Sequence, residues 1–389
     1  MITIELRTVY LDNAATTKTD EEVINEMIPF FSRDFGNASS LHSYGKKVKV
    51  TLEDSRDFIA GFFGASPKDI VFTNSGTESN NHAIKGTAFR NLGSGRDHII
   101  SSSVEHSSVL DALKYLESRF NFNVTYLKPG RFGRVDPGDV INSVTDKTFM
   151  ISLMHSNNET GAVTDIRKIT EYSTDKNIYV HSDTVQSAGK LKLNFKDLNV
   201  NFATVSAHKI YGPKGIAALY IKDKTLTDKF LHGGKQERDL RGGTENIALI
   251  AGFKKAVEIL KHKMEKDLQH YENLKLLLIK GLKEYYSGAV IFNSDTVDCL
   301  PNIINISFDR NKLKFDEEML LIQLDLKGIA VSGGSACTAG TLKPSHVLKE
   351  IGHDEKTALG SLRISTGRNN SEEDIVLFMN ALKEIVKFK

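Results

Sequence analysis

DIVFTNSGTESNNHAIKG, residues 69–86, passes from a short apolar run through a turn of small residues into a helical pattern. Ile70, Val71 and Phe72 have the branched and aromatic character of a buried strand, Ser75-Gly76-Thr77 supplies the turn, and a helix opens near Thr77. The alternation recurs outward from this stretch. DHIISSS precedes a helix opening near Ser107, TFMISLMH is followed by a helix through DIRKITEYSTD, and NIYVHSD, FATVSAH and GIAALYI close the series at Ile221. Strands alternating with helices predict a largely parallel sheet covered on both faces. Sites in such sheets gather at the carboxyl ends of the strands, so the residues just past each apolar run are the ones to read for chemistry.

After Gly243 the pattern changes. The stretch from Glu245 to Tyr286 is helical with few breaks and reads as a join between two domains. Beyond it, strands (NIINISF, SLRIST) mix with helices, the last of which starts at Ser371 with Asp374 placed for a capping box. That is an α+β unit at the C-terminal end. A chain of 389 residues agrees with about two domains.

Composition narrows the function. Apolar residues make up 40%, enough for a sizeable core, and 51 Lys+Arg against 49 Asp+Glu leave a net charge too small to argue for nucleic acid. No apolar run approaches the ~18–20 residues that span a bilayer. The opening MITIELRTVYLDNAATT carries Glu5 and Arg7 within its apolar stretch, unlike a signal peptide, so cytoplasm is expected. The two cysteines, Cys299 and Cys337, form no C-x-x-C pair, so neither a disulfide framework nor a permanent metal is expected. Cys299 reads as a small hydrophobe, whereas Cys337 sits among Gly, Ser, Ala and Thr in VSGGSACTAG, which describes a partly exposed loop.

Several strand ends carry groups with two readings each. In VSAHKIYGPKG, Lys209 follows a buried strand, and a lysine kept from water loses basicity and becomes a nucleophile toward aldehydes. Ser75 or Thr77 is an N-cap, or part of a phosphate site at a helix start. Asp183 is a loop cap, or a carboxylate that keeps a cofactor's ring nitrogen protonated, a need that pyridoxal phosphate has. His106, at a strand-to-helix junction, is structural, or a stacking group and proton carrier. Asn157, Asn158 and Glu159 form a turn, or present ligands to cofactor and substrate. Arg363 makes an ordinary ion pair, or grips a carboxylate with its fork.

Together these motifs resemble the cysteine desulfurases of the NifS/IscS type, in the class V aminotransferase branch of the fold type I pyridoxal-phosphate enzymes. YLDNAATT, SSLH, FTNSGTESNN, VEHSSVL, NNETG, HSDTVQSAGK, SAHKIYGPKG, QERDLRGGTEN, GSAC and PSHVL occur in that family's order over nearly the whole chain. The resemblance implies a large domain with a mostly parallel seven-stranded sheet at 16–260, a smaller α+β domain at 261–389 and a segment 1–15 packing with the latter. It implies pyridoxal 5′-phosphate anchored on Lys209, which also moves the Cα proton, with Asp183 on the ring nitrogen and Gln186 on the ring hydroxyl. His106 would stack on the ring and Asn158 would lie near hydroxyl and substrate. Gly76, Thr77, Ser206 and His208 would hold the phosphate, and Thr244 would reach the phosphate of a partner subunit in a homodimer. Arg363 would bind the carboxylate of L-cysteine, and Cys337 would take its sulfur as a persulfide, releasing L-alanine. An acceptor protein, either an iron–sulfur scaffold or a tRNA or cofactor thiolation enzyme, would receive that sulfur. Ala38, Lys235 and Asp239 depart from the family's habits in two loops. The rival reading within the resemblance is a selenocysteine lyase or another class V pyridoxal enzyme.

Overall fold

The computed structural model describes residues 7–333 and 343–389, so Cys337 lies outside the described residues. Its centre is a seven-stranded sheet in the order Ile70–Thr73, Ala217–Ile221, Phe202–Ser206, Tyr179–Asp183, Thr148–Ser152, His98–Ser102, Asn123–Leu127. From Phe202–Ser206 to Asn123–Leu127 every pairing is parallel, and only Ala217–Ile221 runs against both its neighbours. The 207–216 connection is too short for the crossover a parallel neighbour needs, so the chain returns antiparallel. The five strands other than Asn123–Leu127 and Tyr179–Asp183 are buried along their whole length, as their near-continuous apolar runs require.

The helices open where the turn chemistry places them. Ser75 caps the helix that starts at Gly76 by accepting from the Glu78 N–H, and His106 caps Ser107–Phe120 through its ring nitrogen. The run from Gly76 to Arg90 contains a π-helical turn at His82–Gly86, where a Cβ on Gly86 would meet the Asp228 carbonyl at 2.7 Å.

A single 40-residue helix, Ile247–Tyr286, serves two cores. Ile250, Phe253 and Val257 pack into the core of the large sheet, while Leu274, Leu278 and Leu282 enter a second core with Ile306, Phe308, Ile364 and Phe378. That second core lies on an antiparallel sheet of Leu362–Ser365, Ile303–Phe308 and Val290–Phe292. Val9–Tyr10 pairs in parallel with Ile329–Ala330, and Asp12 bridges to Ser365, so the start of the described chain is bound to its C-terminal third. The last helix has the reciprocal Ser371–Asp374 capping box, worth about 1 kcal/mol. Among the described residues no helix is long and apolar enough to cross a membrane.

Candidate active site

The carboxyl ends of the parallel strands and the second core's sheet enclose a cavity of about 650 Å³. Gly76, Thr77, His106, Asn158, Asp183, Gln186, Ser206, His208, Lys209 and Arg363 all line it. Ten positions scattered over the chain thus converge, because each ends a strand, lies in the turn that follows one, opens a helix or faces the cavity from the smaller sheet.

Lys209 closes the short helical turn Ala207–Lys209 that follows the strand Phe202–Ser206. Its amine donates to the carbonyls of Ala14 and Ala15, the latter at 2.7 Å. Burial lowers its pKa to about 8, helped by the positive Arg363 and opposed by Asp12 and Asp183. Such an amine is neutral in a minority fraction near physiological pH, far larger than for an ordinary lysine, and is a usable nucleophile. The adjoining Lys190, buried too, donates to the Lys209 carbonyl at 2.6 Å, and burial brings its amine to about 7.

Asp183 ends its strand with both oxygens engaged, Oδ1 by the Val185 N–H at 3.0 Å and Oδ2 by the Asn80 amide at 2.8 Å. It is therefore a loop cap and a cavity-facing carboxylate at once. Gln186 donates to the Ala14 carbonyl at 2.9 Å, in the same strand of backbone that Lys209 contacts. His106 is exposed at the cavity wall, its Nδ1 facing the N–H and hydroxyl of Ser108.

At the other end of the cavity the first helical turn presents Gly76 and Thr77. Ser75 satisfies the Glu78 N–H, leaving the N–H groups of Gly76 and Thr77 with no partner inside the helix. A Cβ on Gly76 would meet Val185 at 3.2 Å, so a side chain there would crowd this wall. His208 faces Thr16 at 3.1 Å, and burial with nearby lysines lowers its ring to about 4, keeping it neutral.

Arg363 donates to the Asn158 carbonyl at 3.0 Å and to Asp12 at 2.8 Å, and its buried Nε has no partner among the described residues. The ordinary ion pair exists, and the guanidinium still keeps a free N–H. Asn157 is the turn former: its side-chain oxygen accepts from the N–H groups of Glu159 and Thr160 at 2.8 and 3.0 Å. Glu159 follows as a buried carboxyl that burial raises to about 7, opposed by Ser345 and Arg363. Ser345 donates to it at 2.5 Å and caps the helix His346–Glu350. Glu105, raised by burial to about 8, accepts from the Met154 N–H and the Ser102 hydroxyl.

Reading the sequence passed over Asn80, Lys190, Glu105 and Ser345 as site residues, although each stands inside a quoted motif; their burial is the property that one-dimensional spacing does not carry. Thr244 is exposed and does not line the cavity of its own chain. Cys299 is partly buried against the Leu300 carbonyl, and burial pushes its thiol up to about 11, which leaves it unreactive at neutral pH. The segment carrying Cys337 lies between Gly333 and Pro344, and both of these line the cavity.

The residues fit pyridoxal phosphate. An amine held near neutrality can take its aldehyde, a carboxylate withdrawn from bulk water can face its ring nitrogen, and a helix start with free N–H groups can take its phosphate. Asn80 Oδ1, buried without a partner among the described residues, is a further polar atom of the cavity wall that a ligand can satisfy.

Comparison with known proteins agrees. The class-V aminotransferase family model matches residues 9–378. A cysteine desulfurase IscS from Clostridium botulinum is 42% identical over 380 residues, covering 97% of this chain and 94% of that one. Among solved structures, a NifS-like protein superposes with a TM-score of 0.89 at 34% identity, covering 97% of this chain and 99% of the other. SspA, solved in complex with cysteine, superposes with a TM-score of 0.78 at 35% identity, covering 94% and 100%.

Proposed function

The chain belongs to the class-V aminotransferase family, and from that premise we propose that it is a pyridoxal-phosphate-dependent cysteine desulfurase. It converts L-cysteine to L-alanine and leaves the sulfur on Cys337 as a persulfide. The observation that carries this reading is the convergence of Lys209, Asp183 and Arg363 on one cavity whose wall includes Gly333 and Pro344, on either side of the segment with Cys337.

Bound there, pyridoxal phosphate supplies an electron sink for the pair freed when the substrate's Cα–H bond breaks, which opens the sulfur to attack by a thiolate. The chain's own residues do the rest. Lys209 would anchor the cofactor, and its Nζ would hold and move the Cα proton of the substrate. Asp183 would hold a negative charge toward the ring nitrogen, Gln186 would take the ring hydroxyl, and Asn158 would lie near that hydroxyl and the substrate. Gly76, Thr77, Ser206 and His208 hold the phosphate. Arg363 orients the substrate through its carboxylate, and His106 covers the ring and carries a proton. The balance is L-cysteine plus the Cys337 thiol giving L-alanine plus the Cys337 persulfide.

The active form is a homodimer, supported by apolar side chains that a lone chain leaves in water. Phe31, Phe35 and Leu41 are 66%, 65% and 88% exposed, with Ile28 and Tyr44 nearby in sequence. In that dimer Thr244 reaches the partner's phosphate. The division into 16–260 and 261–389, with 1–15 joining the smaller unit, belongs to the same reading and is supported by the two cores. The persulfide passes to an acceptor protein, an iron–sulfur scaffold or a thiolation enzyme, in the cytoplasm, where reducing conditions keep the donor thiol available.

The test is alanine release from L-cysteine with a reductant present, comparing the wild type with Cys337→Ala. Loss of alanine in a variant that still binds the cofactor supports the reading. Equal release from both proteins removes Cys337 from the mechanism and moves a selenocysteine lyase to the front.

A further inference from the structure

Asn80 belongs to none of the roles above, yet it joins two groups that do. It stands in the helix that opens at Gly76, it is 1% exposed, and its side chain touches the cavity. Its amide nitrogen donates to Asp183 Oδ2 at 2.8 Å and to Ser108 Oγ at 2.9 Å. Ionised Asp183 can only accept, so the NH₂ end of the amide must face it, and the two amide hydrogens are then both used. Ser108 Oγ receives one of them and keeps its own hydrogen to give. That hydroxyl lies 2.8 Å from His106 Nδ1, and the Ser108 backbone N–H donates to the same nitrogen at 3.1 Å. With two donors aimed at it, Nδ1 is an acceptor, and the neutral ring carries its proton on Nε2.

We propose that Asn80 and Ser108 are positioning residues for proton transfer at His106: they hold the neutral ring with its proton on Nε2 and tie its orientation to that of the Asp183 carboxylate. The inference rests on the reading of His106 and Asp183 as cofactor-facing groups. An apolar residue at position 80 would leave Asp183 Oδ2 without its buried donor and free the Ser108 hydroxyl to turn away from His106. A packing residue would have no such effect on either group.

Two measurements test this. The first uses the full-length protein without cofactor, labelled with nitrogen-15 in histidine, with the His106 signals identified by their absence in His106→Gln. The wild type is expected to show one neutral form with the proton on Nε2, and Ser108→Ala to show a second population with the proton on Nδ1. A wild type with the proton on Nδ1, or a Ser108→Ala spectrum identical to the wild type, overturns the assignment. The second compares holoenzymes of the wild type and Asn80→Ala. The variant is expected to lose roughly tenfold in kcat, a part of what positioned acid–base chemistry gives, with KM for L-cysteine little changed and the visible band of the bound cofactor shifted. An unshifted band with undiminished kcat overturns the role of Asn80. If the wild type itself releases no alanine, the desulfurase reading fails, while the histidine spectrum and the cofactor band still decide this one.

Discussion

The buried Lys190 amine donates to the backbone carbonyl of Lys209 at 2.6 Å, so a second lysine stands directly behind the half-buried one that faces the cavity. Burial is the main cause of the low basicity of both, and Arg363 adds to it at Lys209. An amine that loses its proton near pH 8 rather than above 10 captures an aldehyde in its neutral form. The rate at which cofactor-free protein takes up pyridoxal phosphate should therefore rise with pH and level off above about 8. Because Arg363 lowers and Asp183 raises the Lys209 value, Arg363→Gln should move the inflection upward and Asp183→Asn downward. Absorbance at the band of the captured cofactor, followed in stopped flow over pH, checks both directions. An inflection unmoved by either change would sink the electrostatic account.

Arg363 meets Asp12 at 2.8 Å and the Asn158 carbonyl at 3.0 Å through one N–H on each terminal nitrogen, which fixes its plane and leaves the second N–H of each for a ligand. A fork held in this way binds a carboxylate through paired, charge-assisted hydrogen bonds worth about 2 kcal/mol, or roughly 30-fold in affinity. Arg363→Lys keeps the charge and loses the fork, so KM for L-cysteine should rise by about that factor while cofactor content stays at the wild-type level. Steady-state kinetics with a cofactor assay on the same sample decides. A variant with unchanged KM would assign Arg363 to the ion pair alone.

The alternation of apolar runs with helical patterns made most of the large sheet legible, because strands buried on both faces read as continuous apolar segments. Asn123–Leu127 escaped notice for the converse reason: it is an edge strand, mostly half-exposed, with polar Asn123 and Thr125 in its run. The pairing of Val9–Tyr10 with Ile329–Ala330 joins residues hundreds of positions apart, and only a resemblance to a known family suggested it. At the site, positions at strand ends were readable one by one. Asn80 and Lys190 were not, since each lies past the first turn or loop residue, and only the folded chain shows that they are buried. The two readings kept for Asp183, His106 and Arg363 turned out not to compete: each residue makes its structural contact and faces the cavity as well.

Glu159 contributes a pH dependence of stability with a definite sign. Burial raises its carboxyl to about 7 from an unfolded value near 4.5, so between those values the folded chain holds a proton that the unfolded chain has lost. Stability therefore falls as pH rises through this window, and the cost of the buried charge is fully present above about 7. Glu159→Gln keeps an acceptor for Ser345 and removes the charge. The variant should match the wild type near pH 4.5 and exceed it at pH 8 by on the order of 2 kcal/mol. Urea unfolding at the two pH values measures the difference. A gain of equal size at both would mean that ionisation of Glu159 is not its source.

Arg56 and Glu237 form a fully buried, two-pronged ion pair at 2.7 and 2.9 Å, and the same carboxylate accepts from the Phe72 N–H at 2.8 Å. The pair holds a turn that the backbone alone resists: Glu237, Arg238 and Asp239 have φ of 48°, 57° and 69°, a left-handed run without a glycine. Removing one partner strands the other in the core, so Glu237→Ala should lower unfolding stability by about 3–5 kcal/mol. Glu237→Gln, which still accepts from the Phe72 N–H, should lose less. Since this turn leads into Arg241, bonded to Glu78 of the helix that opens at Gly76 in the cavity wall, and then to Thr244, loosening it should also weaken cofactor retention. Equilibrium urea unfolding gives the first quantity, and the cofactor remaining after dialysis of Glu237→Gln gives the second. If Glu237→Gln is destabilised but keeps its cofactor as the wild type does, the turn supports the fold and has no part in delivering Thr244.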